Sequence, residues 1–240
     1  ALAALHNCTL HAESAYLIAT EELATTLLPR LEALRTGSPI LARRVAAVYA
    51  KCAARVPAAV SVLVESTALP LLVRVLVEEG KAVDAAEDAP RIVEVVPGEA
   101  DPDAEDEAEA AAAEEEMVGS VLRILVACAA HAKGAAALCD GGALPALVKL
   151  LQRPDVSLQG NAALCIAECA KDDKCLAVLA VQPLVPPLLA ICHNGNGGPQ
   201  KNAAIALGRL SKNPRLLATI RDNHGIEILA RAMKGKVSGL

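Results

Sequence analysis

Residues 141–151 read GGALPALVKLL, and residues 161–170 read NAALCIAECA. The first phrase opens on two glycines, which break a helix, and then carries Pro145 at the head of an aliphatic run at helical spacing. Proline fits the first turn of a helix, because its missing N–H would have no intrahelical partner there. The second phrase puts Ala163 and Ile166 three residues apart, on one face of a second helix. No stretch alternates apolar and polar residues for long enough to propose a sheet.

Moving outward, the Leu144-Pro145 step recurs as Leu28-Pro29 and Leu69-Pro70, with Leu184 and Ile226 in the related places. The separations are 41, 75, 40 and 42 residues. A second column runs Asn7-Cys8, Lys51-Cys52, Ala127-Cys128, Glu168-Cys169 and Arg209-Leu210, spaced by 44, 76, 41 and 41. Both columns give one period of about 41 residues and one interval longer by about 34, the mark of a repeat array with a single insertion. The unit reads as a short helix, a second helix starting near the Leu-Pro step and a longer third helix carrying the Cys column. Residues 172–180, 183–192 and 199–211 form its clearest copy.

Charge marks the same insertion. From Glu78 to Glu116 there are 16 acidic residues against Lys81 and Arg91, a local charge of −14, and the remaining 12 acidic and 21 basic residues carry +9. We expect a single array over residues 1–240, a partial leading repeat and four repeats, interrupted at about 81–116 by an acidic, largely disordered insertion. Lys81 to Ala104 has too little apolar surface to offset the entropy of ordering, although Pro90–Pro97 is an apolar island. Glu105–Glu116, rich in Ala and Glu, suits an N-terminal extension of the next helix, where carboxylates favour the helix dipole.

Hydrophobic residues make up 54% of the chain, yet Phe and Trp are absent and Tyr occurs twice. That favours helix and argues against binding modules built on exposed aromatic rings. The eight cysteines form no CxxC pair, which points to a reducing compartment. The uncharged run Cys175–Cys192 is long enough for a membrane span, but Gln182, Pro183, Pro186 and Pro187 break it into two short helices. We expect no membrane contact.

The repeat length, the three-helix grammar and the phrases at 141–151 and 161–167 resemble armadillo repeats, and the opening ALAALHNC is similar to a third helix of that family. The resemblance implies an all-α, right-handed armadillo solenoid whose third helices line a concave surface, with the residue before the Cys column facing the ligand. That column is Asn7, Lys51, Ala127, Glu168 and Arg209, and one turn away lie Arg44, Arg55, Arg123 and Lys201. Only Asn7 matches the asparagine with which nuclear-import armadillo proteins grip a peptide backbone, and their tryptophans are missing, so basic nuclear-localisation peptides are poor candidates. We take Asn7, Lys51, Arg55, Arg123, Glu168, Lys201 and Arg209 as partner-binding candidates. A predominantly basic groove suits an acidic protein segment, and the tethered acidic insertion is itself within reach of it.

Chemistry is not expected. Cys165, Cys169, Cys175, Cys192 and His193 cluster in one repeat, but their spacing fits no zinc finger or ribbon, and Leu210 replaces Cys in the same column. There is no Gly-x-Ser-x-Gly elbow, and the glycine-rich residues 194–201 lack the Gly-Lys-Ser/Thr ending of a phosphate loop. The expectation is a non-enzymatic protein-interaction scaffold without cofactor or metal. Residues 206–210 and 221–229 look like the armadillo half of tetratricopeptide/armadillo co-chaperones that assemble axonemal dyneins. This implies a cytoplasmic adaptor or co-chaperone, with the cilium as the narrower location. The alternatives are a permanent subunit of an assembly such as an axoneme, or binding of nucleic acid or another anionic surface by the +9 body, the least favoured.

Overall fold

The computed structural model describes residues 28–88 and 104–234. Asn7, the expected leading helix around it and the island Pro90–Pro97 lie outside the described residues. Among those described, every regular element is helical.

The first unit contains a 3-10 turn at Leu28–Arg30, then α1 (Leu31–Gly37) and α2 (Pro39–Arg55). The second has α3 (Pro57–Glu65), α4 (Ala68–Asp88) and α5 (Ala104–Ala129), and the third α6 (Ala132–Asp140), α7 (Ala143–Leu150) and α8 (Val156–Cys169). The fourth has α9 (Asp173–Leu179), α10 (Val185–Asn194) and α11 (Gly197–Leu210). Then α12 (Pro214–Asp222) and α13 (Gly225–Lys234) take the places of the first and second helices of a fifth unit.

Local sequence sets the starts of these helices. The Asp155 carboxylate accepts the Leu158 N–H at 2.5 Å, Asp172 accepts that of Cys175 at 3.0 Å, and Asn213 accepts those of Arg215 and Leu216 at 3.0 and 3.3 Å. Caps of this kind stabilise a helix by about 1 kcal/mol each. Prolines occupy the first turns of α2, α3, α10 and α12. Gly142, with φ of 73°, supplies the left-handed residue that aims the chain into α7.

The columns found in the sequence are the spine of the core. Cys52, Cys128, Cys169 and Leu210 are fully buried, as are Leu28, Leu69, Leu144 and Leu184. Cysteine and leucine share a column because the place is apolar and enclosed. One continuous core runs from Leu28 to Ile220. Third helix packs on third helix, α5 along α2, α8 along α5 and α11 along α8, so each unit buries its apolar face against the next.

The insertion differs from its expected outline at its N-terminal end and follows it at the other. Helix α4 continues to Asp88, well beyond Lys81, where disorder was expected to begin, and Glu79 and Gly80 on it are buried. Gly80 allows that approach, since a Cβ there would stand 2.7 Å from that of Ala146, and its carbonyl accepts a hydrogen bond from Lys149 Nζ at 3.1 Å. At the other end α5 starts at Ala104, and its residues 105–116 form the N-terminal extension that their composition suits.

No single helix among the described residues is long and apolar enough to cross a membrane. Helices α2 and α3 together have the length, but the pair is bent by 119° at the break between them. Residues 175–192 are split between two separate helices, α9 and α10, with a turn between them, and Cys175, Leu176, Leu179, Leu188, Leu189 and Ile191 lie in the core.

Candidate functional site

Each third helix carries an uncovered stripe on the same side. On α2 it is Arg44, Ala47, Lys51 and Arg55; on α5, Glu116, Arg123 and Ala127; on α8, Ser157, Asn161, Leu164, Glu168 and Lys171; on α11, Asn202, Ile205, Arg209 and Lys212. Steps of three, four and seven residues keep these positions on one side of a helix. Contacts between neighbouring helices show that the stripes adjoin: Arg209 Nη1 reaches Ala167 O at 2.7 Å and Glu168 Oε1 at 2.9 Å, and Asn202 Nδ2 reaches Gly160 O at 3.0 Å. The uncovered stripes therefore make one surface across the third helices, floored by half-buried side chains.

Among the described candidates, Lys51, Arg55, Arg123, Glu168 and Arg209 lie on these stripes. Glu168 and Arg209 are brought together, and Lys171 Nζ joins Glu168 from the other side at 2.5 Å. Burial pushes the Glu168 carboxyl up, but hydrogen bonds from Lys171 and Arg209 together with their charges outweigh it and hold the group below the usual glutamate value. Rather than merely interrupting a basic surface, Glu168 pairs with two of the cations in its C-terminal part. Arg123 donates to Ser120 Oγ at 2.9 Å.

Lys201 belongs to another face. Its counterpart one repeat earlier is Gly160, which α11 covers so closely that a Cβ there would meet Pro199 at 3.0 Å. On α11 the same side is exposed, because no further third helix follows it among the described residues. Lys201 thus marks the flank of the array instead of the stripe that the other candidates share.

Ion pairs from the acidic end of the insertion fall on arginines outside the candidate set. Glu114 pairs with Arg35 at 2.5 Å, Glu115 with Arg153 at 3.4 Å and Glu116 with Arg43 at 3.2 Å. Arg153 also holds Glu79 at 3.6 Å, and burial pushes that carboxyl above its usual value despite the nearby guanidinium. Arg43, Glu116, Ser120, Arg123 and Asp155 border a cleft of about 440 Å³ between the N-terminal halves of α2 and α8 and the middle of α5. Its carboxylates are engaged, Glu116 by Arg43 and Asp155 by the start of α8.

The cysteines sort differently from their order in the sequence. Cys165, Cys169 and Cys175 form a chain of thiol contacts that Cys139 of the preceding unit completes, whereas Cys192 stands apart with its thiol 3.8 Å from Gln200 O. Burial pushes the Cys139 thiol up to about 11 and that of Cys128 to about 12, so thiolate is scarce at neutral pH. Among the described residues, no group of three His, Cys, Asp or Glu side chains is placed to hold a metal ion.

No family model matches the sequence, and no curated protein does. Solved structures do match. A designed armadillo repeat protein in complex with the peptide (KR)4 superposes with a TM-score of 0.68 at 17% identity, covering 96% of this chain and 82% of that one. The chain has the armadillo-repeat fold. Computationally designed armadillo repeat proteins for modular peptide recognition agree, with a TM-score of 0.65, 20% identity and coverage of 95% and 84%. An engineered protein gives 0.59 at 19% identity, with coverage of 95% and 87%. At these identities the likeness establishes the fold of the chain, not its ligand.

Sequence reasoning missed Leu164 and Ile205, one turn before Glu168 and Arg209 on the armadillo groove. Stepping back four residues along each third helix finds them. It also missed Arg35, Arg43 and Arg153, which lie at 35, 43 and 153 in no shared column and are joined only by the ends of different helices.

Proposed function

We propose that the chain is a non-enzymatic scaffold whose concave groove holds an extended segment of a protein partner. The observation that carries this reading is the uncovered stripe that α2, α5, α8 and α11 each present in the same register, across four units. Solenoids use such surfaces for elongated ligands, and the similar designed proteins are described as a complex with (KR)4 and as built for modular peptide recognition. Here exposed Arg44 and Arg123, with Lys51 and Arg55 on the α2 stripe, favour an acidic segment over a basic one. Resemblance of residues 206–210 and 221–229 to tetratricopeptide/armadillo co-chaperones supports the narrower reading of a cytoplasmic adaptor or co-chaperone in axonemal dynein assembly.

Peptides selected from a displayed library against the 240-residue chain test the scaffold reading. Ala127→Trp, which fills the middle of the groove, should cut their affinity at least tenfold, and Val181→Glu, on an exposed turn after α9, should leave it unchanged. Binders indifferent to Ala127→Trp would contradict a groove ligand. The narrower reading is tested by fractionating ciliated cells: an assembly factor stays in the soluble cytoplasmic pool, and firm retention in isolated axonemes would favour a permanent subunit.

A further inference from the structure

The groove has two chemically distinct halves, and resting on the scaffold reading above, we infer that it reads a bipartite segment: carboxylates over α2 and α5, aliphatic side chains over α8 and α11, about six residues apart. In the first half the stripes carry Arg44 and Arg123, both exposed. Arg123 spends one donor on Ser120, at 2.9 Å, and a guanidinium has five. Carboxylates bordering this half are committed elsewhere, Glu116 to Arg43 and Asp155 to the cap of α8. An incoming carboxylate therefore meets cations whose rivals are already engaged.

At its middle positions the second half offers no such charge, and exposed Lys212 stands at its C-terminal end. Arg209 is held by Glu168 and by Ala167 O, Lys171 closes the other side of Glu168, and Asn202 is held by Gly160 O. What remains on the floor at the middle positions is Leu164 and Ile205, both half-buried, where α5 has Arg123 and α2 has Ala47. Desolvating an aliphatic side chain against these two residues is favourable, and bringing a charge there is not.

Geometry sets the spacing. Packed helices stand about 8–10 Å apart, and an extended chain advances about 3.3 Å per residue, so a segment crossing the third helices spends about three residues on each. The step from α5 to α11 is two helices, about six residues.

The test uses acetylated, amidated 14-residue peptides with a Gly/Ser background, labelled for fluorescence anisotropy and titrated with the 240-residue chain at 50 mM and 300 mM salt. One carries a Glu pair and a Leu pair six residues apart; controls replace Glu by Lys, replace Leu by Ser, or reduce the spacing to two. The Glu/Leu peptide at a spacing of six should bind at least tenfold more tightly than each control at 50 mM salt. Arg44→Glu with Arg123→Glu should move the preference to the Lys/Leu peptide, and Leu164→Asp with Ile205→Asp should weaken the Glu/Leu peptide while sparing the Glu/Ser one. These substitutions sit on exposed or half-buried places, and a retained thermal melt verifies folding. If Ala127→Trp abolishes binding but the charge reversal leaves the preference for Glu intact, the bipartite inference is overturned and the groove reading stands. If Ala127→Trp leaves binding intact, the groove reading falls and the inference with it.

Discussion

The seam between α8 and α11 and the seam between α2 and α5 join equivalent helices by different physics. At the first, Gly160 lets Pro199 close in, and Asn202 and Arg209 bond to the carbonyls of Gly160 and Ala167. At the second, next to the insertion, Arg43–Glu116 bridges the two helices, with Arg35 of α1 adding Glu114 and Arg153 adding Glu115 and Glu79 from other directions. Close backbone contact ties a regular period tightly, whereas long side chains bridge helix ends that an insertion has lengthened. The first seam should be sensitive to volume, and the second to salt.

The largest expected effect breaks the first seam. Gly160→Leu should destabilise the chain by about 1–3 kcal/mol through overpacking against Pro199, visible as a lower midpoint in guanidinium chloride. Substituting Arg209 by Leu comes next. It removes a bond to a carbonyl and leaves Glu168, 13% exposed, with Lys171 alone, at a cost of about 1–2 kcal/mol that 0.5 M salt should reduce little. The second seam should respond less. Arg43→Gln should cost about 0.2–1 kcal/mol in low salt, and urea melts should show the difference vanishing at 0.5 M salt, because Glu116 is largely exposed.

The smallest effects carry opposite signs. Glu79 has a folded pKa above its ordinary 4.5, mainly through burial, so the stability it contributes is present at low pH and is lost as pH rises through the folded value. Glu168 has a folded pKa below 4.5, so its contribution is present above that value and is lost as pH falls through the folded one. Thermal melts of Glu79→Gln should therefore show a gain over the unsubstituted chain at pH 7 that narrows on acidification. Those of Glu168→Gln should show a loss at pH 7 that narrows only below about pH 4.5. Equal signs for the two variants would mean that the seams do not differ as described.

Most of the scaffold was legible in the sequence, because a repeat writes each buried place several times. Cys52, Cys128, Cys169 and Leu210 share a column, and a place occupied by both Cys and Leu declares itself apolar. The Gly-Gly and Leu-Pro steps located helix starts by the same redundancy. What occurs once was harder. Glu79 and Gly80 sit at the start of an acidic run whose average composition suggests solvent, yet Gly80 is small enough for α4 to lie against Ala146 and continue into that run. Which charged candidates face the groove also depended on pairing across repeats. Glu168 and Arg209 are one period apart and neutralise each other, and Lys201 matches Gly160, on a side that only a following third helix would cover.

The central claim is that the uncovered stripes of the third helices form the ligand surface. Its most direct measurement is a footprint: the Glu/Leu peptide, carrying a photoreactive group at its centre, is crosslinked to the chain and the attached residues are read by mass spectrometry. The account predicts crosslinks on α2, α5, α8 and α11, concentrated between Ala47 and Arg55, at Arg123 to Ala127, and at Leu164 and Ile205. Crosslinks gathered instead on the first helices α6, α9 and α12 would contradict it.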